Sequence, residues 1–286
     1  MGSIDAHAHL WDQDRFRYDW LDLEENLPAS FLPEDLLASD PTIDGFVFVQ
    51  AGCSPQDGFD EAAWVQSLAP STPGLAGIVA FAPLEQSFAR HDLAALSELA
   101  LVVGVRRLLQ DEDESFFQLK SLSEGLDEVA RRGWTFDACV RSHQLENLYR
   151  LARQHEALPL VLDHLGKPPL HGGADEFAQW RKALAKLAEL PNTVVKLSGL
   201  PAEAEAGTPA TSFGPWIRAG YDLFGPHRSM VGSDWPVSSR TPLTRGGWID
   251  TVRSSIGPEP SEWVQVAGLT AERVYRLHRG PLDSAD

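Results

Sequence analysis

Two histidines one residue apart, His7 and His9 in Ile4-Asp-Ala-His-Ala-His-Leu10, are the first groups in the chain that can do chemistry. On a β-strand alternate side chains leave one face, so both imidazoles point into one space while Ile4, Ala6 and Ala8 pack the other way. Two neutral ring nitrogens on a rigid strand suit a metal ion or a polarised carbonyl oxygen. Further along stand His164 in Val161-Leu-Asp-His-Leu-Gly-Lys-Pro168 and Asp234 in Gly232-Ser-Asp-Trp-Pro236. Three imidazoles and one carboxylate can hold a single zinc ion with a reactive water. They can equally work with no metal, the imidazoles donating to a carbonyl oxygen while the carboxylate takes a proton from water. The residues leave that choice open.

These four groups come from distant parts of the chain, so the fold has to bring them together. Eight apolar or β-rich runs read as strands: 4–9, 45–50, 75–81, 102–108, 135–140, 160–164, 193–197 and 230–233. Helical spacing fills the gaps at 33–39, 61–68, 88–100, 116–132, 143–155, 175–189 and 213–224, and again after the eighth strand at 246–255, 261–267 and 271–277. Pro33 and Pro215 fall where a first helical turn tolerates proline, and Gly133 follows its helix as a stop. Strand and helix alternating eight times predict a (β/α)8 TIM barrel, one domain over residues 1–286. An open doubly wound sheet would want an early Gly-x-Gly-x-x-Gly turn, which the chain lacks. In such a barrel the active site lies at the C-terminal strand ends, where His7, His9, His164 and Asp234 all fall.

Other polar residues at those ends need placing. Arg106 and Arg107 alternate faces, so at most one enters the barrel, and the other is expected to pair with acids at 111–114. Lys196 and Ser198 end the seventh strand. Asp163 is expected to point outward as a structural pair. His91, His143, His155, His171, His227 and His278 are expected at the surface, with His143 and His171 the two to watch because they follow strands five and six.

Composition narrows the partners. The 286 residues carry 24 Lys and Arg against 41 Asp and Glu, a net charge of −17 that repels phosphate backbones. Nucleic acid and anionic membrane are therefore not expected partners. No apolar run approaches the ~20 residues of a membrane helix. The first strand at Ile4 leaves no room for a signal peptide, and two cysteines, Cys53 and Cys139, outside any Cys-x-x-Cys pair give no disulfide framework. The expected compartment is the cytoplasm.

At these residues the chain resembles the amidohydrolase superfamily, and within it the sugar-lactonase-like group of fuconolactone, rhamnonolactone and pyrone-dicarboxylate hydrolases. The matching pieces are Ile4-Asp-Ala-His-Ala-His-Leu-Trp11, Tyr18-Asp-Trp-Leu21, Val49-Gln-Ala51, Gly104-Val-Arg106 with Gln110-Asp-Glu112, Val161 to Pro168, Val195-Lys-Leu-Ser-Gly199 and Gly232-Ser-Asp-Trp-Pro-Val237. They run in order from one end of the chain to the other. The resemblance implies a barrel that hydrolyses a small lactone, with Asp234 as general base. It further implies that His7, His9 and His164 hold zinc with Asp234 or polarise the carbonyl, and that Arg106 contacts substrate oxygens. Members of the group differ in their need for metal.

Departures from the group also carry information. The fourth strand offers Arg106 and Arg107 where binuclear members place a bridging lysine or glutamate, so a two-metal site is not expected. The fifth strand, Thr135 to Val140, has no histidine, and Arg107 stands where related lactonases often have His. Trp11, Tyr18, Trp20 and Trp235 lie in loops beyond strand ends, where their faces can stack on a sugar ring. Arg15, Arg17, Arg141 and Arg240 are loop cations, of which Arg141 is a candidate reader of substrate oxygens. A single arginine expected in the pocket, Arg106, favours a neutral sugar lactone over a dicarboxylate. A different zinc-dependent reaction, such as decarboxylation or cleavage of another carboxyl ester, is the alternative, and a sugar-binding protein without turnover is a third reading. A small-molecule substrate is the expected partner, and a homo-oligomer is admitted.

Overall fold

A computed structural model describes residues 2–40 and 42–277, and in it all eight expected strands form one parallel sheet. They are β1 (Ile4–Ala8), β2 (Gly45–Val49), β3 (Leu75–Phe81), β4 (Val102–Leu108), β5 (Thr135–Cys139), β6 (Leu160–Leu162), β7 (Thr193–Leu197) and β8 (Ser229–Val231). Each pairs with its neighbours in chain order. The ring closes where Ala8 bridges Trp235, with His9 N–H donating to the Trp235 carbonyl at 2.9 Å and Asp234 N–H to the His7 carbonyl at 2.8 Å. The architecture is a (β/α)8 barrel.

The strands read as near-continuous apolar runs because both faces are covered, as parallel sheets require. Phe46 and Phe48 of β2 pack outward in a large cluster shared with the helices, whereas Val47 and Val49 join Val79, Val161, Val194 and Met230 in a smaller cluster inside the ring. The outer helices are α1 (Pro33–Ser39), α2 (Gly58–Leu68), α3 (Ala89–Leu96), α4 (Lys120–Arg131), α5 (Leu145–Ala152), α6 (Ala174–Ala188), α7 (Gly214–Phe224) and α8 (Arg245–Ile256). Beyond α8, the segments Pro260–Val264, Gln265–Leu269 and Thr270–Val274 continue as helix and bring Tyr275 into the inner cluster. His278 lies outside the described residues. Among those described, no helix is long and apolar enough to cross a membrane.

Two local departures from regular strand set the positions of the site. In β1 the register against β2 shifts between Asp5 and Ala8, where three steps oppose two. Simple alternation predicts Ile4, Ala6 and Ala8 on one face. The bulge instead places Ile4 and Ala6 in the inner cluster and Ala8 in the outer one, so that His7 and His9 turn inward above an apolar floor. In β6 the expected strand to 164 stops at Leu162. Residues Asp163–Gly166 form a tight turn in which His164 (φ 53°), Leu165 (φ 56°), Gly166 (φ 68°) and then Lys167 (φ 48°) are left-handed.

Candidate active site

Asp234 sits at the centre of the four expected groups. Its Oδ1 lies 3.2 Å from His9 Nε2, 3.6 Å from His7 Nε2 and 3.7 Å from His164 Nε2, and all four side chains are almost fully buried. His7 and His9 come from β1, His164 from the turn after β6 and Asp234 from the end of β8. Left-handed backbone at a non-glycine residue costs about 1–2 kcal/mol, so its use at His164, Leu165, Lys167 and Asp234 (φ 58°) marks a place where function outweighs local preference. Gly199 (φ 69°) makes the close approach feasible, since a Cβ there would stand 2.2 Å from His164 Nδ1. Ser198 hydrogen-bonds that same nitrogen at 2.9 Å.

Asp234 is held from behind by a group that sequence reasoning passed over. Asp5 points outward through the barrel wall, where its carboxylate accepts from Arg245 Nε at 2.9 Å, Ser233 Oγ at 2.5 Å, Ser233 N–H at 2.8 Å and His7 N–H at 3.1 Å. One buried carboxylate thus ties β1, the end of β8 and α8 together, on both sides of the reacting groups. Asp5 and Arg245 lie 240 residues apart, so spacing alone could not pair them.

Below His7 lies a second buried charge cluster. Lys196 Nζ donates to His7 Nδ1 at 2.9 Å and to Asp137 Oδ2 at 2.6 Å, and stands 3.0 Å from Asp163 Oδ1. The Tyr275 hydroxyl donates to Asp137 Oδ2 at 2.7 Å. Asp163 therefore points inward, against the expectation of an outward pair, because it follows the inward Val161 by two residues, and the left-handed turn after it is what brings His164 to the same side. Burial pushes the Asp163 carboxyl up, but Lys196 and His7 outweigh it and hold it well below its ordinary range. Burial raises Asp137 despite Lys196. His7 is pushed well below an ordinary imidazole by burial and then by Lys196, and burial also lowers His164 against the pull of Asp234 and Asp163. At neutral pH both rings are uncharged. Asp234 is ionised, since His164, His9 and His7 outweigh the upward push of its burial.

The ring tautomers follow from these partners. His9 Nδ1 donates to the Val49 carbonyl at 2.8 Å, which turns Nε2 toward Asp234. With Lys196 donating to its Nδ1, neutral metal-free His7 carries its proton on Nε2, facing His9 Nε2 at 3.2 Å; to hold a metal through Nε2 the ring would carry that proton on Nδ1 instead, 3.3 Å from Asp163 Oδ1. The lone pairs of His9 Nε2 and Asp234 Oδ1, 3.2 Å apart, can share one cation, either a metal ion or a proton. The donor atoms of His7, His9 and Asp234 lie within 4.8 Å of one another, so the set fits one zinc ion, with His164 beside it. Bound there, zinc would supply Lewis acidity and an acidified water.

His9, His164 and Asp234 open into a cavity of about 500 Å3 that is also lined by Trp20, Arg106, Gln110, Lys167, Glu203 and Arg240, with His7 fully buried behind them. Arg106 enters the barrel and Arg107 does not, as alternation requires. Arg106 donates to the Gln50 carbonyl at 2.5 Å and to Asp163 at 3.3 Å, while its buried Nε has no partner among the described residues. Arg107 pairs with Glu85 and Glu112. Trp20 donates to the Ala51 carbonyl at 2.7 Å and exposes part of its ring to the cavity.

The remaining aromatic and arginine candidates stand elsewhere. Trp11 is fully buried, bonded to the Pro28 carbonyl and edge-on to Trp20 at 5.5 Å, so it supports the wall rather than forming it. Trp235 packs against the core without lining the cavity. Arg141 is drawn off to Asp111 at 3.0 Å, Arg15 to Asp12, and Arg17 to Asp19 and Asp22. His143 and His171 are exposed and line no part of it. Arg240 does reach the rim, where it pairs with Glu24 of the first loop and donates to the Ala202 carbonyl.

Comparison with known proteins places the whole chain among relatives. The chain is 33% identical over 286 residues to an L-fucono-1,5-lactonase of Burkholderia ambifaria, covering 96% of each chain. Its fold superposes with a TM-score of 0.87 on a crystal structure of a Burkholderia multivorans amidohydrolase with bound zinc, at 30% identity, covering 97% of this chain and 100% of that one. A probable 2-pyrone-4,6-dicarboxylic acid hydrolase from Acinetobacter baumannii shares the fold at 18% identity and a TM-score of 0.78, covering 97% of this chain and 100% of the other. The amidohydrolase family model matches residues 4–277, and the chain belongs to that family.

Proposed function

We propose that this protein opens a small, neutral sugar lactone to its hydroxy acid, with Asp234 as general base. The observation that carries the reading is the ionised Asp234 carboxylate ringed by three imidazoles at the bottom of an open cavity. A water donating to Asp234 loses a proton to it, and the hydroxide attacks the lactone carbonyl carbon. Charge then grows on the carbonyl oxygen, where the His7 Nε2–H and the Arg106 guanidinium, 3.3 Å apart, supply donors in a dry setting. Collapse breaks the bond from carbonyl carbon to ring oxygen, and that oxygen takes its proton back from Asp234. Water and lactone yield one hydroxy acid.

The similarity to the fuconolactonases supports a lactone as the ester. Charge pairing in the cavity supports a neutral one. Arg106 is matched by Asp163, Lys167 by Glu203 and Arg240 by Glu24, so a substrate carboxylate would meet no unmatched cation among the described lining residues. Acid release from L-fucono-1,5-lactone, from a dicarboxylated pyrone and from a simple alkyl ester, followed with a pH indicator, tests the assignment. Turnover of the sugar lactone above the other two is expected. Acid release from the alkyl ester alone, or from none of the three, would overturn it.

A further inference from the structure

The Lys167–Glu203 ion pair lines the same cavity as Asp234, yet nothing in the hydrolytic chemistry uses it. Lys167 leaves the left-handed turn that also presents His164, and Glu203 ends the short helix Leu200–Glu203 that follows Ser198 and Gly199. Both elements therefore descend from groups that hold His164. The ammonium meets the carboxylate at 2.6 Å, with the two side chains 14% and 27% exposed. An ammonium has three donors and a carboxylate two acceptor oxygens. Among the described residues one donor and one oxygen are paired to each other, and the rest have no protein partner. Burial would discharge Lys167, but Cys139, Glu203 and Asp234 outweigh it and keep it charged.

We propose that Lys167 and Glu203 form a specificity clamp that reads two neighbouring hydroxyl groups of the lactone, Lys167 donating to one oxygen and Glu203 accepting from the next hydroxyl. This rests on the lactonase reading and adds a residue-level basis for choosing polyhydroxylated rings. A net-neutral pair offering both donors and acceptors matches a vicinal diol, which likewise offers both. It repels no neutral ring and attracts no free carboxylate, because each charge is already balanced. A ring lacking those hydroxyls would cover the half-buried pair and leave it short of partners, the situation in which hydrogen-bonding sites discriminate most strongly.

The test compares a polyhydroxylated 1,5-lactone with δ-valerolactone in wild type, Lys167→Met and Glu203→Gln. The ratio of kcat/KM values, hydroxylated over plain, is expected to fall by about tenfold or more in each variant, mainly through KM. Equal losses on both lactones would mean that the pair only holds the loops, and a ratio within about twofold of wild type would mean that it reads nothing; either result overturns the proposal. Calorimetric binding of the matching 1,5-lactam and of δ-valerolactam separates this from the reaction itself. A wild type that hydrolyses no lactone but binds the hydroxylated lactam through Lys167 and Glu203 keeps the clamp and sinks the lactonase reading. A wild type that shows no preference for the hydroxylated lactam sinks the clamp.

Discussion

His9 Nε2 and Asp234 Oδ1 face each other at 3.2 Å, while the other ring nitrogen of His9 donates to the Val49 carbonyl. The contact is what a zinc site or a site built to grip a water proton looks like from the protein side. Zinc added to metal-free protein is therefore expected to raise Tm, with about one ion per chain by calorimetry. His9→Ala and Asp234→Ala should each abolish the shift. A shift that survives both changes would place the metal elsewhere, and no shift in wild type would leave the shared-proton arrangement.

Lys196 pairs with two buried carboxylates and orients His7. Lys196→Met leaves Asp137 and Asp163 without their ammonium, a loss expected to cost about 3–5 kcal/mol of stability. Urea denaturation at neutral pH measures it. Adding Asp163→Asn to the same chain should recover part of the loss, and a single variant as stable as wild type would show that Tyr275 and Arg106 suffice for the two acids.

Glu61 of α2 is fully buried behind the cavity wall, where it accepts from Ala51 N–H, and burial pushes its carboxyl up to about 7. The unfolded chain ionises it near the ordinary carboxylate value, so between that value and about 7 the folded state holds one proton more. Stability from this group is therefore present at low pH and declines as pH rises toward 7, by about 3 kcal/mol for a shift of this size. Glu61→Gln removes the ionisation while keeping an acceptor. Its Tm should exceed wild type at about pH 8 and match it at about pH 5. A gain of equal size at both pH values would contradict the argument.

Much of this was legible before any coordinates, and the parts that were not share a cause. Strand-forming runs and the polar groups at their ends are local signals, which is why β1 to β8 and the set His7, His9, His164 and Asp234 could be read along the chain. The bulge in β1 was not, since Ala6 and Ala8 look alike until the register against Phe46 and Phe48 is known. Nor was the turn at His164, where Gly166 was the one local hint of left-handed backbone. Asp163, Asp5, Lys196 and Tyr275 acquire their roles from partners dozens to hundreds of residues away. The loop positions of Trp11 and Arg141 suggest substrate contacts but do not reveal that Trp11 bonds the Pro28 carbonyl and Arg141 pairs with Asp111.

The central claim is that Asp234 removes a proton from the attacking water. Steady-state kinetics of Asp234→Asn on the preferred sugar lactone tests it most directly, because asparagine keeps the shape and loses the basicity. The account predicts a fall in kcat of about a hundredfold or more, with KM changed far less and the fold intact by thermal melting. An Asp234→Asn enzyme that opens the lactone at close to the wild-type kcat would contradict it.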